Sequence, residues 1–340
     1  MAPGVHRVQL SISMPGLGHV NCYILEDERG FAIVDPGLPS EEAFAELRAT
    51  FEAASVDLKR VHTVVITHSH PDHFGGAARV QQISGADIVT HRAFKLVFDA
   101  DDGDADPNTV AEALPSGDAP VIRTPFGVAV PWGGEPYQPM SGADRERVIE
   151  NMRNPLSRPK PTVRLDEASA IELGRRRWVA LHTPGHTNDH LCLYDAESGT
   201  LLSGDHVLPT ITPHISGLHQ GVDALDLFFN SLNHVRKLPD VRTVLPAHGQ
   251  PFDNLVERVD EIIEHHHERL DVLARAQVEL GRPGTVPEFM RSLFRERSWG
   301  SMAESETYAH LEHLRRGGRA TVERIDGVLV YDIDPLDTNA

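Results

Sequence analysis

Residues Thr67–Gly76 read THSHPDHFGG. His68, His70, Asp72 and His73 put three imidazoles and one carboxylate into six consecutive positions. Both side-chain types are good ligands for zinc and related divalent metals. The segment before them, VHTVVIT (61–67), is short, mostly apolar and rich in β-branched residues, which predicts a buried strand. The segment after them, GGAARVQQISG (75–85), predicts a helix closed by Gly85. The crowded turn therefore lies where a buried strand gives way to a helix. Alternation at the strand end puts His68 and His70 on one side. Pro71 then redirects the chain and places Asp72 and His73 on the first helical turn. One pair can face one metal while the next pair faces a second. Packing alone gives no reason for such a cluster, because polar rings left unpaired beside an apolar strand cost free energy.

One turn does not complete two metal sites. Three other predicted strand ends offer further ligands: ALHTPGHT with His182 and His186, TLLSGDH with Asp205 and His206, and TVLPAHG with His248. Each apolar strand delivers its polar residue to the same edge of a sheet, where open α/β sheets place their sites. More strands are predicted upstream in VHRVQLSIS (5–13), NCYILED (21–27), GFAIVDPG (30–37) and ADIVTH (86–91). A helix over 40–56 is capped by Ser40. Downstream, SAIELG (169–174), RWVALHTPGH (177–186), HLCLYDAESGTLLSGDH (190–206) and VRTVLPAHG (241–249) repeat the strand pattern, with a helix over 223–238 before the last. Residues 95–165 break the rhythm and read as a surface insertion able to cap a pocket. It holds an acidic loop (99–106) and a helix over 141–152. The aspartate spacing of that loop does not match an EF-hand.

The whole chain has 340 residues, which predicts one large domain or two. Hydrophobic residues make up 40 %, enough for a sizeable core. A formal net charge of -18 opposes nucleic-acid binding through bulk electrostatics. No apolar run approaches the length of a membrane span. The start, MAPGVHRVQLSISMPG, lacks the basic and apolar regions of a signal peptide. Cys22 and Cys192 are then expected as buried thiols in a reducing cytoplasm. After Pro251 come a long helix, shorter helices and RATVERIDGVLVYDI (319–333), a hairpin signal around Asp326-Gly327. This order fits a small winged-helix unit over about 265–335. The expected division is 1–255 and 256–340.

The pieces THSHPDH, TPGHT, SGDH and PAHG, in that order and preceded by IVDPG (33–37), resemble the metallo-β-lactamase superfamily over residues 5–255. The resemblance implies an α/β fold, the αββα sandwich, with a dinuclear site at one edge. By motif, it implies that His68, His70 and His186 bind one metal. Asp72, His73 and His248 would bind the other, Asp205 would bridge the two, and Asp35 would support them. Asp72 and Asp205 become the expected catalytic carboxylates. His206 and His214 become candidates for contact with substrate. His182 and His190 are expected to be structural, with reach to the pocket edge the alternative for His190, and His265, His266 and His267 are expected to be solvated. Two zinc ions are the default, although the same donors serve Fe and Mn. Paired metals lower the pKa of a bridging water toward ~7, and the hydroxide would attack an acyl carbonyl. Neither cysteine falls at a ligand position, unlike the zinc β-lactamase branch that uses one.

The tail pieces HHHERLDVLA, PEFMRSLF, YAHLEHLRRGGRA and VLVYDI resemble a lactamase-like branch with a winged-helix tail. That branch includes thioesterase-like hydrolases and an endoribonuclease. The expected activity is hydrolysis of a small ester or thioester, of the hydroxyacylglutathione-hydrolase or lactonase kind. The alternative is metal-dependent cleavage of RNA, which the wing supports and the net charge opposes. A pure metal-dependent binding protein would have no need of the full ligand set. The expected partner is a small acyl substrate, with no membrane, and a homodimer is compatible with these features.

Overall fold

The structure is a computed structural model that describes residues 4–12, 17–96, 130–134, 156, 158–218 and 221–334. Most of the 95–165 insertion, including the acidic loop and the helix expected over 141–152, lies outside these residues. So does His219. The chain divides into two compact units. The first comprises Met1–Leu96, Ala143–Pro213 and Ser231–Val259, and the second Val97–Gly142, His214–Asn230 and Asp260–Ala340.

The first unit is built on two sheets. In the six-stranded sheet β1 (Val5–Ser11), β2 (His19–Asp27), β3 (Gly30–Val34), β4 (Val61–Val65), β5 (Asp87–His91) and β6 (Val163–Leu165) lie side by side in chain order. The first three strands are antiparallel neighbours, and β3 to β6 run parallel. Strand β6 corrects the expected limits of the insertion, because Val163–Leu165 pairs with Val89–His91 as the sheet's edge. Its three residues are too few to give a periodicity. The five-stranded sheet has the order β11-β10-β9-β8-β7, formed by β7 (Ala170–Leu173), β8 (Arg176–His182), β9 (Leu191–Asp195), β10 (Thr200–Gly204) and β11 (Thr243–Pro246).

One apolar layer joins the two sheets: Tyr23, Leu25, Val34, Val65 and Val89 from the first meet Trp178, Leu191, Leu193, Leu202 and Leu245 from the second. A second layer packs the outer face of the first sheet, through Cys22, Ile24, Ile33 and Val64, against helices α1 (Glu41–Ala53) and α3 (Ala77–Ser84). Both faces of β3 are therefore buried, which is why its residues read as a continuous apolar run rather than an alternation. Ser40 caps α1 by accepting from Ala43 N, and Gly85 closes α3 at φ 74. A separate helical turn, α2 (Pro71–Phe74), carries Asp72 and His73. Helix α4 (Ala224–Val235) is tied to the turn after β8 where Ser231 Oγ donates to the Pro184 carbonyl.

The second unit is a helical and sheet region. Helix α5 (Leu255–Leu280), which crosses the expected boundary at 255, enters it and is followed by β12 (Gly284–Thr285), α6 (Val286–Leu293), α7 (Ser301–Arg316), β13 (Ala320–Ile325) and β14 (Val328–Ile333). The expected hairpin forms, with Ile325 opposite Val328 and Asp326 at φ 49, and β14 also pairs with β12. Helix α7 is buried without a break from Ala303 to Glu312. The expectation that His265, His266 and His267 are all solvated is wrong for His266, which is fully buried. Its position continues the buried stripe Leu255, Val259, Ile262 of α5 at helical spacing.

The layer between the sheets is the expected source of most of the first unit's stability. Trp178 is fully buried there, with Nε1 donating to the Leu173 carbonyl. Trp178→Ala should therefore destabilise by about 3–5 kcal/mol, read from urea unfolding followed by circular dichroism.

Candidate metal centre

Strand ends of both sheets bring the predicted residues to one edge. His68 and His70 follow β4, Asp72 and His73 lie on α2, His186 follows β8, Asp205 follows β10 and His248 follows β11. One ligand atom from each of His68, His70, His186 and Asp205 lies within 4.8 Å of the others. Asp72, His73 and His248 form a second group by the same measure. The Asp205 carboxylate faces both. Its Oδ2 is 3.6 Å from His186 Nε2, 3.7 Å from His73 Nε2 and 4.0 Å from His68 Nε2, and its Oδ1 is 3.3 Å from His248 Nε2.

The ring orientations are fixed from behind. Asp35, at φ 56 after β3, accepts from Thr67 N (2.9 Å), Thr67 Oγ1 (2.8 Å) and His73 Nδ1 (2.9 Å). Thr67 Oγ1 in turn accepts from His68 Nδ1 at 3.0 Å. The His19 carbonyl accepts from His248 Nδ1 at 2.6 Å. In each of these rings Nδ1 donates outward, so Nε2 is the nitrogen that faces the site. His73 Nε2, His248 Nε2 and Asp205 Oδ1 are buried and make no hydrogen bond. His70 Nδ1 lies 3.0 Å from both His68 Nε2 and His186 Nε2. A proton on one of these nitrogens makes a hydrogen bond between rings, and with all three unprotonated their lone pairs converge where a shared cation would be held. The residues present thus fit two divalent ions held by imidazole and carboxylate.

Charge follows the same division. Burial would lower the His73 pKa, but the carboxylates of Asp72, Asp205 and Asp35 outweigh it and hold it well above the usual value. His248 is raised against its burial by Asp205. Burial, and then the neighbouring imidazoles, push His68 far down and His70 to about 3. Burial would raise both carboxyls, but His73 together with the other neighbouring imidazoles outweighs it, holding Asp205 below the carboxylate range and Asp72 at about 2.

Sequence reasoning missed several supports. Tyr23 Oη donates to the Pro246 carbonyl, and Asn21 Nδ2 to those of Pro246 and Gly249, fastening the turn that carries His248. No local pattern announces them, because their partners lie more than two hundred residues away in the sequence. Gly75 and Gly76 admit the 36–39 turn: a Cβ on either would stand 2.1 Å from Pro39 N or 2.3 Å from the Pro36 carbonyl oxygen. His190 is fully buried, its Nε2 accepting from the Asp205 backbone N–H at 3.0 Å. His206 is fully buried too, with its ring 5.8 Å from that of His190. His182 stacks on His91 at 3.8 Å and hydrogen-bonds the Asn188 carbonyl. His214 belongs to the second unit, where its Nδ1 is 3.1 Å from Glu306 Oε2.

Two outcomes are expected. Asp35→Asn replaces an acceptor of three bonds by an amide and should weaken the second group's metal affinity about 10–100-fold, measured by chelator competition. Asp189, next to His190, is buried and accepts from Ser69 Oγ at 3.0 Å, and burial pushes its pKa up to about 6. A raised carboxyl contributes stability that is present below its ordinary pKa and lost as pH rises through the raised one. In the metal-free protein Asp189→Asn should therefore stabilise by on the order of 3 kcal/mol at pH 8, with the gain disappearing toward pH 4, in unfolding curves across pH.

Comparison with known proteins agrees with the geometry. The family described as the metallo-beta-lactamase superfamily matches residues 15–248. The Bacillus subtilis protein named "Probable metallo-hydrolase YqjP" is 24 % identical over 310 residues, covering 88 % of this chain and 88 % of that protein. The human "Acyl-coenzyme A thioesterase MBLAC2" is 24 % identical over 192 residues, 55 % of this chain and only 58 % of its own length. The crystal structure of metallo-beta-lactamase family protein TTHA1429 from Thermus thermophilus superposes with a TM-score of 0.75 at 24 % identity, covering 98 % of this chain and 99 % of that one. With its fold, its strand-end donors and the family match in accord, the chain belongs to the metallo-beta-lactamase superfamily.

Proposed function

We propose that this chain is a dinuclear metal hydrolase of a small thioester or ester. The observation that carries the reading is the Asp205 carboxylate, which faces both donor groups at once. His68, His70 and His186 would hold one ion, Asp72, His73 and His248 the other, with Asp205 shared. Zinc is the default, and Fe and Mn suit the same donors. Bound there, two divalent ions supply Lewis acidity that acidifies water toward a pKa of about 7 and polarises the carbonyl to be cleaved. The chain itself supplies the orientation: Asp35 and the His19 carbonyl hold the imidazoles of His73 and His248 with Nε2 inward. His206 and His214 remain proposed substrate-side residues, His206 the weaker of the two because its ring is sealed from solvent. The human relative named as an acyl-coenzyme A thioesterase supports a thioester over a lactone. Two buried free thiols fit a reducing compartment, so a cytoplasmic place is part of the proposal. Among the described residues no helix is long and apolar enough to cross a membrane.

A winged-helix reading of the second unit remains part of the proposal, but nucleic-acid cleavage is the weaker activity. The third helix of such a unit reads nucleic acid when it is exposed. Here α7 is enclosed, and it carries buried Glu304, Glu306 and Glu312. Its terminal Arg315 is engaged by Glu312 in two hydrogen bonds.

The test counts Zn, Fe and Mn in protein purified without added metal, then assays acyl thioesters, lactones, a β-lactam reporter and single-stranded RNA with and without chelator. Chelator-sensitive thioester or ester cleavage is expected. RNA cleavage alone, steeply weakened by salt, would transfer the case to a ribonuclease. Asp72→Ala and His248→Ala should each remove about one metal equivalent and most of the turnover. Two equivalents kept by both variants would refute the assignment of the second group.

A further inference from the structure

Behind Asp205 runs a closed circuit of buried hydrogen bonds that ligand chemistry does not require. The Asp205 backbone N–H donates to His190 Nε2 at 3.0 Å. That nitrogen must therefore be the unprotonated one, and the ring's proton sits on Nδ1. His190 Nδ1 is 2.7 Å from Thr183 Oγ1 and donates to it. The Thr183 hydroxyl is then free to donate to Cys192 Sγ at 3.3 Å, and the Cys192 thiol donates to the Ser203 carbonyl at 3.4 Å. Ser203 is two residues before Asp205, so the circuit begins and ends on the same turn. The three side chains, His190, Thr183 and Cys192, are all buried. The direction of every bond is set by one choice, the tautomer of His190.

The turn is shaped to admit the ring. Gly204 lies at φ 50, and a Cβ there would stand 2.7 Å from His190 Nε2 and 3.1 Å from Thr67 Cβ. The Leu191 N–H donates to the Thr67 carbonyl at 2.8 Å, which anchors the segment carrying His190 to the residue preceding His68. A carboxylate in place of His190 would set a second negative charge against Asp205. A protonated imidazole could not accept the Asp205 N–H. A neutral ring with its proton on Nδ1 meets both demands.

We propose that His190 is a positioning residue, whose Nδ1-protonated ring fixes the Ser203–Asp205 turn so that one carboxylate serves both halves of the metal centre. Thr183 and Cys192 hold that tautomer. The inference rests on the reading of Asp205 as a shared ligand, and wild-type metal binding tests that reading separately.

Two measurements decide it. In metal-free protein, 15N-histidine spectra, with His190 assigned by its loss in the His190→Phe variant, should show a neutral ring protonated at Nδ1. A proton at Nε2 would overturn the proposal. Metal affinity is then measured by chelator competition in wild type, His190→Phe, His190→Gln and Thr183→Val. The phenylalanine variant should weaken binding of both equivalents about 10–100-fold, and glutamine, whose Oε1 can accept from Asp205 N, should recover part of it. Thr183→Val preserves the side chain's shape and should weaken binding less, in the same direction. If His190→Phe does not fold, Thr183→Val and His190→Gln carry the test. Wild-type affinity for two metals in every folded variant would overturn the positioning role. A wild type that binds no second metal would instead overturn the reading of the site.

Discussion

The carboxylate of Asp35 is the constraint on which the rest of the site depends. It is almost completely buried at the end of β3, in a left-handed backbone conformation. That conformation costs about 1–3 kcal/mol for a residue with a side chain. Three hydrogen bonds from Thr67 and His73 offset it, each worth about 1.5–3 kcal/mol to a charged acceptor. Through them one side chain sets the exit of β4, the rotation of α2 and the tautomers of His68 and His73. The parallel pairing of β3 with β4 brings the two strand ends together. The apolar layers on both faces of that sheet then leave the polar residues only one place to emerge.

The emerging residues carry opposite charge tendencies packed into one buried volume. Carboxylates of Asp35, Asp72 and Asp205 meet the imidazoles of His73 and His248, whose Nε2 atoms are buried without a hydrogen bond. Leaving such atoms unpaired away from water is costly. The fold bears that cost because each ring and carboxylate is held by a neighbour outside the site: the His19 carbonyl behind His248, the His190 ring behind Asp205, and Tyr23 and Asn21 behind the turn at Pro246. A metal centre so supported has little freedom to reorganise, which favours chemistry needing fixed charge over chemistry needing a moving side chain.

The second unit shows a different use of buried charge. Glu306 meets His214 at 3.1 Å and Arg269 at 3.6 Å, and its own carbonyl accepts from His310 Nδ1 at 2.7 Å. His310 Nε2 lies 3.0 Å from His266 Nδ1. Glu312 takes the Tyr331 hydroxyl at 2.7 Å as well as Arg315. These contacts make α7 the internal strut of its unit. Of the basic residues at its end, Arg315 is engaged inside the unit by Glu312.

The sequence by itself determined the periodic and the local. The apolar runs of β3, β4 and β11 announced buried strands, Ser40 and Gly85 announced helix ends, and His68, His70, Asp72 and His73 announced a metal-type turn within six positions. His266 was also legible, since it lies on the buried stripe of α5, although three adjacent histidines look solvent-exposed. Only the tertiary structure decided what spans distant segments. The three-residue strand β6, the tie of Tyr23 to Pro246 and the place of His190 beneath Gly204 are of this kind. The physical reason is range: a side chain's periodicity is written in its immediate neighbours, whereas a hydrogen-bond partner is chosen by which strand ends the sheet order brings together.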